Sequence, residues 1–467
     1  EIVVIDYREH APAAATKDMF ASEQSKKEGW SKAGGKAVAV PGTLMGLTTA
    51  LEKYGTMTLA EVTAPAISYM ENGFAITQTL SDMIKSHFDI INDYNDPAKV
   101  AYFKDGLPLE PGDILIQSDL AKTYHGILDN GIGYLYGGEL GQKIVDAVQA
   151  KGGGLSLQDL KDYKPYIRKP VVGNYRGYDI YSMCPPSSGG THLIQILNIL
   201  ENFDIANMNY HGPTHISVMA EAMKMAFADR SKYMGDPGFT KDIPIEGLTS
   251  KEYAKFLSEQ IKIREPKQKI PAGEPGQYEH NSTSHICAID SEGNVVSLTQ
   301  TINYFFGSGV IVPDVGIIMN DEMDDFSKNP DSPNAPEPGK IPLSSMSPSI
   351  IEKDGEPFMI LGTPGGTRIF TAMVQIISNV IDFGMGMDEA IEAARMHCYT
   401  SGGKAKSIRV ESRIPNITVE TLRFLGNEVD IKGAYDLYFG GAQGIMLKDG
   451  LLYGGGDSRR DGTAIGY

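Results

Sequence analysis

The feature of this sequence that most constrains its fold is an abrupt change of character at residue 283. Residues 263–282 are rich in Lys, Pro, Gly, Gln and Glu and have no apolar periodicity, which is typical of an exposed linker. Directly after them, residues 286–289 and 295–302 have the composition of two β-strands joined by a turn at residues 291–294. The sequence therefore predicts a β-hairpin that follows a cleavable linker.

The predicted hairpin brings polar side chains together around Thr283. If the two strands pair directly outside the turn, antiparallel register sets Thr283 opposite Ile302, within one register step. Thr301 and Asn303 then lie on either side of Thr283. Three polar groups thus converge where a linker meets a strand, which makes this a candidate catalytic position.

A threonine hydroxyl is a weak nucleophile and needs a base within hydrogen-bond reach. Cleavage of the bond between Ser282 and Thr283 would supply one, because the new α-amine has a pKa of about 7.7 to 8.0 and can accept the hydroxyl proton near neutral pH. The competing interpretation is that Thr283 and Thr301 are β-propensity residues at a strand start, and spacing alone favours it.

The rest of the chain mixes helices with short strands and has no internal repeat. Thr58 and Glu61 form a capping box that predicts a helix over residues 59–69. Apolar spacing predicts further helices over residues 191–203 and 216–233. Strands and helices on both sides of the linker indicate a layered architecture whose two halves are intertwined.

A glycine loop separates a predicted strand at residues 358–361 from an apolar helix at residues 369–381. Gly365 and Gly366 in this loop would expose backbone N–H groups near the helix start, where an oxyanion or a phosphate can bind. The phosphate interpretation is the weaker one, because the pattern G-x-x-x-x-G-K-[ST] is missing from the sequence.

Composition limits the class of partner. The 59 acidic and 42 basic residues give a net charge of −17, which disfavours nucleic acid and anionic membranes. No apolar run reaches the ~18 residues that span a bilayer.

Cys184, Cys287 and Cys398 are widely spaced and are expected to be small buried residues. Residues 1–7 already have the composition of a strand, so we expect a missing upstream segment, which could include an export signal.

Several runs, in order along the chain, make the sequence resemble the γ-glutamyltransferase (γ-glutamyl transpeptidase) family, and the resemblance covers essentially all of it. The runs are Asp6-Tyr7-Arg8-Glu9, Thr283-Ser284-His285, Thr299-Gln300-Thr301-Ile302-Asn303, Phe306-Gly307-Ser308-Gly309, Asn320-Asp321-Glu322-Met323-Asp324-Asp325-Phe326, Pro342-Leu343-Ser344-Ser345-Met346-Ser347-Pro348 and Gly362-Thr363-Pro364-Gly365-Gly366-Thr367-Arg368.

The resemblance implies an α+β fold of four layers, αββα, as in N-terminal-nucleophile hydrolases. It implies a precursor that cleaves itself between Ser282 and Thr283 into two intertwined subunits. Residues 1–282 would be the large subunit, lacking part of its N-terminal portion, and residues 283–467 the small catalytic subunit. The two would form one joint αββα domain.

The resemblance also implies a role for each matching residue. Thr283 would be the nucleophile, with Thr301 hydrogen-bonded to its hydroxyl and the N–H groups of Gly365 and Gly366 binding the oxyanion. The α-carboxylate of a γ-glutamyl substrate would be bound by Arg8, Ser344 and Ser345. Its α-ammonium would be bound by Asn303, Glu322 and Asp325, although residues 321–325 by themselves are typical of a solvated acidic turn or a hard-cation site.

The implied chemistry is ping-pong acyl transfer without a metal or an organic cofactor. Thr283 would attack the γ-amide of a substrate such as glutathione, and water or an amino-acid or peptide acceptor would resolve the γ-glutamyl ester. The resemblance implies a periplasmic or secreted enzyme. No nucleic-acid partner and no membrane span are expected for this chain.

Two departures from the family pattern and two alternatives remain. Ser284 replaces a second threonine, and residues 327–341 are fewer than in members with a lid, so we expect an open cleft that admits poly-γ-glutamate. The first alternative is a related acylase, acting on glutaryl-cephalosporin-like amides or depolymerising capsule poly-γ-glutamate. The second is an unprocessed, inactive scaffold that binds γ-glutamyl ligands.

Overall fold

The structure is a computed structural model that describes residues 1–266, 283–401 and 403–466. The predicted linker lies for the most part outside the described residues, and so does Ser282. The helices are α1 Glu23–Lys27, α2 Thr43–Tyr54, α3 Leu59–Asn72, α4 Gln78–Ser86, α5 Phe88–Tyr94, α6 Ser118–Asn130, α7 Glu139–Ala150, α8 Leu157–Asp162, α9 Gly189–Leu200, α10 Pro213–Tyr233, α11 Ile245–Leu248, α12 Lys251–Ser258, α13 Ile369–Ile381, α14 Met387–Glu392 and α15 Asn416–Phe424.

The strands are β1 Val4–Asp6, β2 Phe74–Ala75, β3 Phe103–Lys104, β4 Leu107–Pro108, β5 Ile114–Leu115, β6 Tyr166–Arg168, β7 Val171–Tyr175, β8 Tyr178–Ser182, β9 Thr283–Ile289, β10 Val295–Thr301, β11 Ser349–Lys353, β12 Glu356–Gly362, β13 Met396–His397, β14 Thr400–Ser401, β15 Lys404–Ala405, β16 Ile408–Glu411, β17 Val429–Lys432, β18 Gln443–Lys448 and β19 Leu451–Gly456.

The chain forms two compact units, and each takes residues from both sides of Thr283. The first unit comprises Glu1–Ile2, Lys169–Thr301 and Leu343–Tyr467, and the second comprises Val3–Arg168 and Ile302–Pro342. The division into subunits at residues 282 and 283, and their union in one joint domain, stay predictions.

A six-stranded antiparallel sheet, with the order β19-β18-β12-β11-β8-β7, is the centre of the first unit. Helices α9, α13 and α14 pack on one face of it, where a Cβ at Gly444 of β18 would meet the side chain of Met387 in α14. The β9–β10 hairpin packs on the other face, where a Cβ at Gly362 of β12 would meet the ring of His285. Helices, sheet and hairpin therefore form successive layers.

The helices at the core of the first unit are those that apolar spacing predicts. Every residue of α9 and all but Ile381 of α13 are buried. Helix α10 begins earlier than predicted, at Pro213, because the fixed φ and missing N–H of proline suit the first helical position. Met219 and Met223 are buried in α10 and belong to the core.

The second unit packs α6, α7 and α8 against a cluster of buried apolar residues that includes Val310 and Met319. Helix α3 begins with the predicted capping box, since the Thr58 N–H donates to the Glu61 carboxylate at 2.7 Å and the Glu61 N–H donates to the Thr58 hydroxyl at 3.3 Å. A smaller cluster includes Phe20, Met323 and Phe326, so it anchors the middle and the C-terminal end of the acidic run in the core. In the described part of the chain no helix is long and apolar enough to cross a membrane.

Candidate active site

The β9–β10 hairpin sets the position of Thr283. Ile289 pairs with Val295, so Thr283 faces Thr301 and not Ile302. The observed register therefore differs by one step from the pairing with Ile302, within the range that the sequence predicted. The cause is Asp290, whose carboxylate accepts hydrogen bonds from the N–H groups of two turn residues, each at 2.9 Å, and so shortens the loop. Gly293, with φ of +84°, takes the left-handed position that such a three-residue loop requires.

This register places two threonine hydroxyls in contact. The Thr283 Oγ1 and Thr301 Oγ1 atoms lie 3.3 Å apart, and both side chains are half-buried. Cleavage directly before Thr283 would place the new α-amine on the residue that carries this hydroxyl. Antiparallel pairing of β9 with β10 thus brings Thr283 and Thr301 together.

His285 lies two residues after Thr283 in β9, and its buried ring packs against the sheet at Gly362. Its Nδ1 atom lies 2.9 Å from the Thr299 hydroxyl, and its Nε2 atom lies 3.2 Å from the Cys287 sulfur. Burial lowers the pKa of His285 to about 3, so the ring is neutral. A Cβ at Gly362 would lie 2.2 Å from this ring, so only glycine allows the approach. His285 is therefore a buried core histidine with a contact at each ring nitrogen.

The glycine loop directly follows Gly362. Gly365 has φ of +137° and Gly366 has φ of +57°, conformations that favour glycine over residues with a Cβ. They lead into the short helix Gly366–Arg368 and then α13, and the first N–H groups of a helix have no acceptor within it. Thr363, to which the sequence assigned no role, fixes the loop: its hydroxyl donates to the Pro364 carbonyl at 2.8 Å and accepts from the Gly441 N–H at 3.1 Å.

The carboxylates of the acidic run in the second unit have different partners. Asp324 accepts hydrogen bonds from the hydroxyls of Ser31 and Tyr304, so its charge serves the packing of this unit. Glu322 and Asp325 both form ion pairs with the Arg8 guanidinium, that of Glu322 at 2.6 Å. Local sequence could not separate these roles, because they depend on distant partners.

Arg8 is the cation at the centre of a buried, mostly acidic group. Burial opposes its charge, but Glu322, Asp325 and Glu9 hold its pKa above the ordinary value. Burial raises the pKa of Glu9 to about 7 and that of Glu322 well above its usual range, although Arg8 acts in the opposite direction. A further cation beside these three carboxyl groups, such as an ammonium, would favour their ionised form, so the group is suited to bind one.

The predicted site residues thus fall into two groups. Asn303, at the start of the second unit's second segment, is buried with φ of +74°, and its amide donates to the Asp321 carbonyl at 3.1 Å. The first unit holds Thr283, Thr301, Gly365, Gly366, Ser344 and Ser345, and the second holds Arg8, Asn303, Glu322 and Asp325. Among the described residues, no group of three or more His, Cys, Asp or Glu side chains is arranged to hold a metal ion.

Comparisons with known proteins show which family the chain belongs to. A family model described as Gamma-glutamyltranspeptidase matches residues 1–467. The chain is 41% identical to a glutathione hydrolase proenzyme of Escherichia coli (strain K12), over 99% of this chain and 81% of that protein. It is 38% identical to an acylase ACY 1 proenzyme of Pseudomonas sp. (strain SE83), over 99% of this chain and 82% of that protein.

Among solved structures, the cephalosporin acylase of Bacillus halodurans matches with a TM-score of 0.87 and 28% identity, over 99% of this chain and 84% of that one. This match confirms the α+β fold of N-terminal-nucleophile hydrolases that the sequence predicted.

Proposed function

The chain belongs to the gamma-glutamyltranspeptidase family, and on this premise we propose that it hydrolyses and transfers γ-glutamyl groups with Thr283 as the nucleophile. The observation that carries the proposal is the 3.3 Å contact between the Thr283 and Thr301 hydroxyls at the start of β9. Glutathione is the donor we propose, because the curated relatives are named glutathione hydrolase proenzymes. Amino acids or peptides would serve as acceptors.

The first half of the reaction acylates the enzyme. The Thr283 Oγ1 atom attacks the γ-amide carbonyl, its proton passes to the α-amine of the same residue, and the N–H groups of Gly365 and Gly366 stabilise the oxyanion. The α-amine then protonates the departing nitrogen. In the structure the Thr283 hydroxyl donates to the Thr301 oxygen at 3.3 Å. Once the Thr283 proton has left, the Thr301 hydroxyl would turn to donate to the Thr283 oxygen, which favours the developing alkoxide over the neutral hydroxyl.

The second half releases the γ-glutamyl group. Water or an acceptor amine attacks the Thr283 ester, and the α-amine again takes and returns the proton. The substrate's α-ammonium suits the acidic group of the second unit, where Glu322 and Asp325 outnumber the single guanidinium of Arg8. Arg8 would turn towards the α-carboxylate when an ammonium joins those carboxylates, because each charge then keeps an opposite partner.

Maturation and location are part of the proposal. Cleavage between Ser282 and Thr283 would create the α-amine and a heterodimer of large and small subunits, in line with the proenzyme names of the relatives. We place the mature enzyme in the periplasm or outside the cell. Residues 327–341 are only partly buried: Ala335 and Lys340 are buried, whereas residues 329–331 and 338–339 are exposed. Because this segment is short, an open cleft and poly-γ-glutamate as a further substrate belong to the same proposal.

Intact-mass measurement of the purified protein tests the nucleophile directly. We expect a fragment that begins at Thr283, and we expect Thr283→Ala to remain uncut and inactive. Ser284→Ala is the matched control, because the neighbouring hydroxyl is exposed on the other side of the strand and its loss should leave cleavage and turnover intact. Normal cleavage of Thr283→Ala would contradict the proposal.

The acylase alternative has support of its own in the likeness to acylase ACY 1 and to the cephalosporin acylase structure. Paired anilide substrates separate the two activities, because γ-glutamyl anilide carries an α-ammonium and glutaryl anilide does not. We expect turnover of the γ-glutamyl compound to be at least about tenfold faster, the effect of one satisfied charged hydrogen bond. Equal turnover, or preference for glutaryl anilide, would favour the acylase.

A further inference from the structure

A serine-rich turn before α9 holds the segment that contains Ser344 and Ser345. The Ser188 N–H and hydroxyl both donate to the Ser344 carbonyl, at 2.9 and 2.7 Å, and the Ser187 hydroxyl donates to the Met346 carbonyl at 2.5 Å. A Cβ at Gly189 would lie 2.3 Å from the Ser345 carbonyl oxygen, so this position requires glycine. The turn therefore fixes the backbone of the two serines.

Arg230, near the end of α10, connects this turn to the Ser345 side chain. Its Nε atom donates to the Ser188 hydroxyl at 2.8 Å, and its Nη2 atom donates to the Ser345 hydroxyl at 3.2 Å. Arg230 is only 8% exposed, and Ser188 and Ser345 are buried. The planar guanidinium thus spans two serines that are far apart in sequence, which a flexible ammonium would do less rigidly.

The direction of these hydrogen bonds determines what the serines can still do. A guanidinium only donates, so the Ser345 oxygen accepts from Arg230 and keeps its own proton for another acceptor. The Ser344 oxygen likewise accepts from the Met346 N–H at 3.0 Å. Within the described part of the chain, neither hydroxyl donates to a protein group. Two adjacent hydroxyls are therefore held as donors, the arrangement that a carboxylate requires.

We propose that Arg230 is a positioning residue for recognition of the substrate's α-carboxylate, acting through Ser345. By occupying one lone pair of the Ser345 oxygen, it directs the hydroxyl proton outwards and makes it a stronger donor, because linked hydrogen bonds polarise one another. This inference rests on the proposed γ-glutamyl activity. It adds that selectivity for substrates with an α-carboxylate depends on a buried arginine that does not touch the substrate.

Two anilides differing only in the α-carboxylate test this role in the processed enzyme: γ-glutamyl anilide and 4-aminobutyryl anilide. For Arg230→Gln we expect KM for γ-glutamyl anilide to rise about tenfold, while kcat changes by less than about threefold. This is the pattern for the loss of an interaction that is equally strong in the ground state and the transition state. We expect kcat/KM for 4-aminobutyryl anilide to stay within about twofold. Arg423→Gln, the same change at an exposed helix arginine that pairs with Glu420, is the matched control and should alter neither substrate.

Ser345→Ala and its combination with Arg230→Gln test whether Arg230 acts through the Ser345 hydroxyl. Ser345→Ala should lose the same selectivity, and adding Arg230→Gln to it should cost little more, because Arg230 acts through the Ser345 hydroxyl. If Arg230→Gln is not processed, Arg230→Lys replaces it, and a selective rise in KM is again expected.

Equal losses on both anilides, or additive effects in the double variant, would overturn the role of Arg230. A parent enzyme that did not prefer γ-glutamyl anilide over 4-aminobutyryl anilide would instead overturn the proposed function. A parent that showed this preference, together with an Arg230→Gln variant that retained it, would overturn the present inference alone.

Discussion

At the scale of single residues, the site is built from side chains whose partners decide their roles. Thr301 approaches the Thr283 hydroxyl at 3.3 Å because it pairs with Thr283 in the hairpin. Asp324 and Glu322 are both buried acidic residues two positions apart, yet one is tied to hydroxyl groups and the other to the Arg8 guanidinium. The residue type therefore indicates which chemistry a side chain can perform, and its contacts decide which role it has in this protein.

Thr301→Val tests the hydroxyl pair with little change of shape. We expect kcat to fall about threefold to tenfold, the value of one neutral hydrogen bond, while KM stays within about twofold because Thr301 acts on the nucleophile. Steady-state kinetics with γ-glutamyl anilide measures both. Thr301→Ser keeps the hydroxyl and should retain most of kcat, and a valine variant with unchanged kcat would refute the contribution of Thr301.

At the scale of elements, strand, glycine loop and helix form a single rigid segment. Strand β12 ends at Gly362, where the His285 ring leaves no room for a side chain, and α13 begins at Ile369. The Thr363 hydroxyl joins the loop between them to Gly441. Because both ends and the middle are held, the backbone N–H groups of Gly365 and Gly366 keep fixed directions, as an oxyanion-binding site requires.

Gly365→Ala tests this segment. Its φ of +137° is strained for alanine, so we expect the loop to shift and kcat to fall about 10²–10³-fold, the usual effect of losing one oxyanion donor. Gly386→Ala is the matched control, since this glycine has φ of −66° and open space around it. Measurement of kcat and of thermal unfolding for both variants separates lost catalysis from lost stability. A Gly365→Ala enzyme with normal kcat would exclude the oxyanion role.

At the scale of the whole molecule, residues on both sides of Thr283 build the same sheet. Strand β8, from before Thr283, pairs with β11, from after it, along five residues. Helix α9 packs on α13, which also joins the two sides. A cut at residue 283 would therefore leave the sheet hydrogen bonds and the buried helix contacts intact.

Gel filtration of the cleaved enzyme checks this consequence. We expect both fragments to elute together without denaturant, because separation would expose the edges of β8 and β11 and the buried faces of α9 and α13. They should separate only in denaturant, at a concentration close to that which unfolds uncut Thr283→Ala. Separate elution under native conditions would contradict the shared sheet.

The sequence by itself determined the helices with strong apolar spacing, the hairpin, the glycine loop and, through its ordered motifs, the family. These features are local, because periodicity, capping and turn chemistry act over a few neighbouring residues. The sequence predicted the hairpin register only to within one step, because it does not show that Asp290 closes a three-residue loop. Only the tertiary structure decided the pairing of Arg8 with Glu322 and the contact of Arg230 with Ser345. Such contacts join residues more than a hundred positions apart, and local sequence patterns do not encode which distant side chains meet.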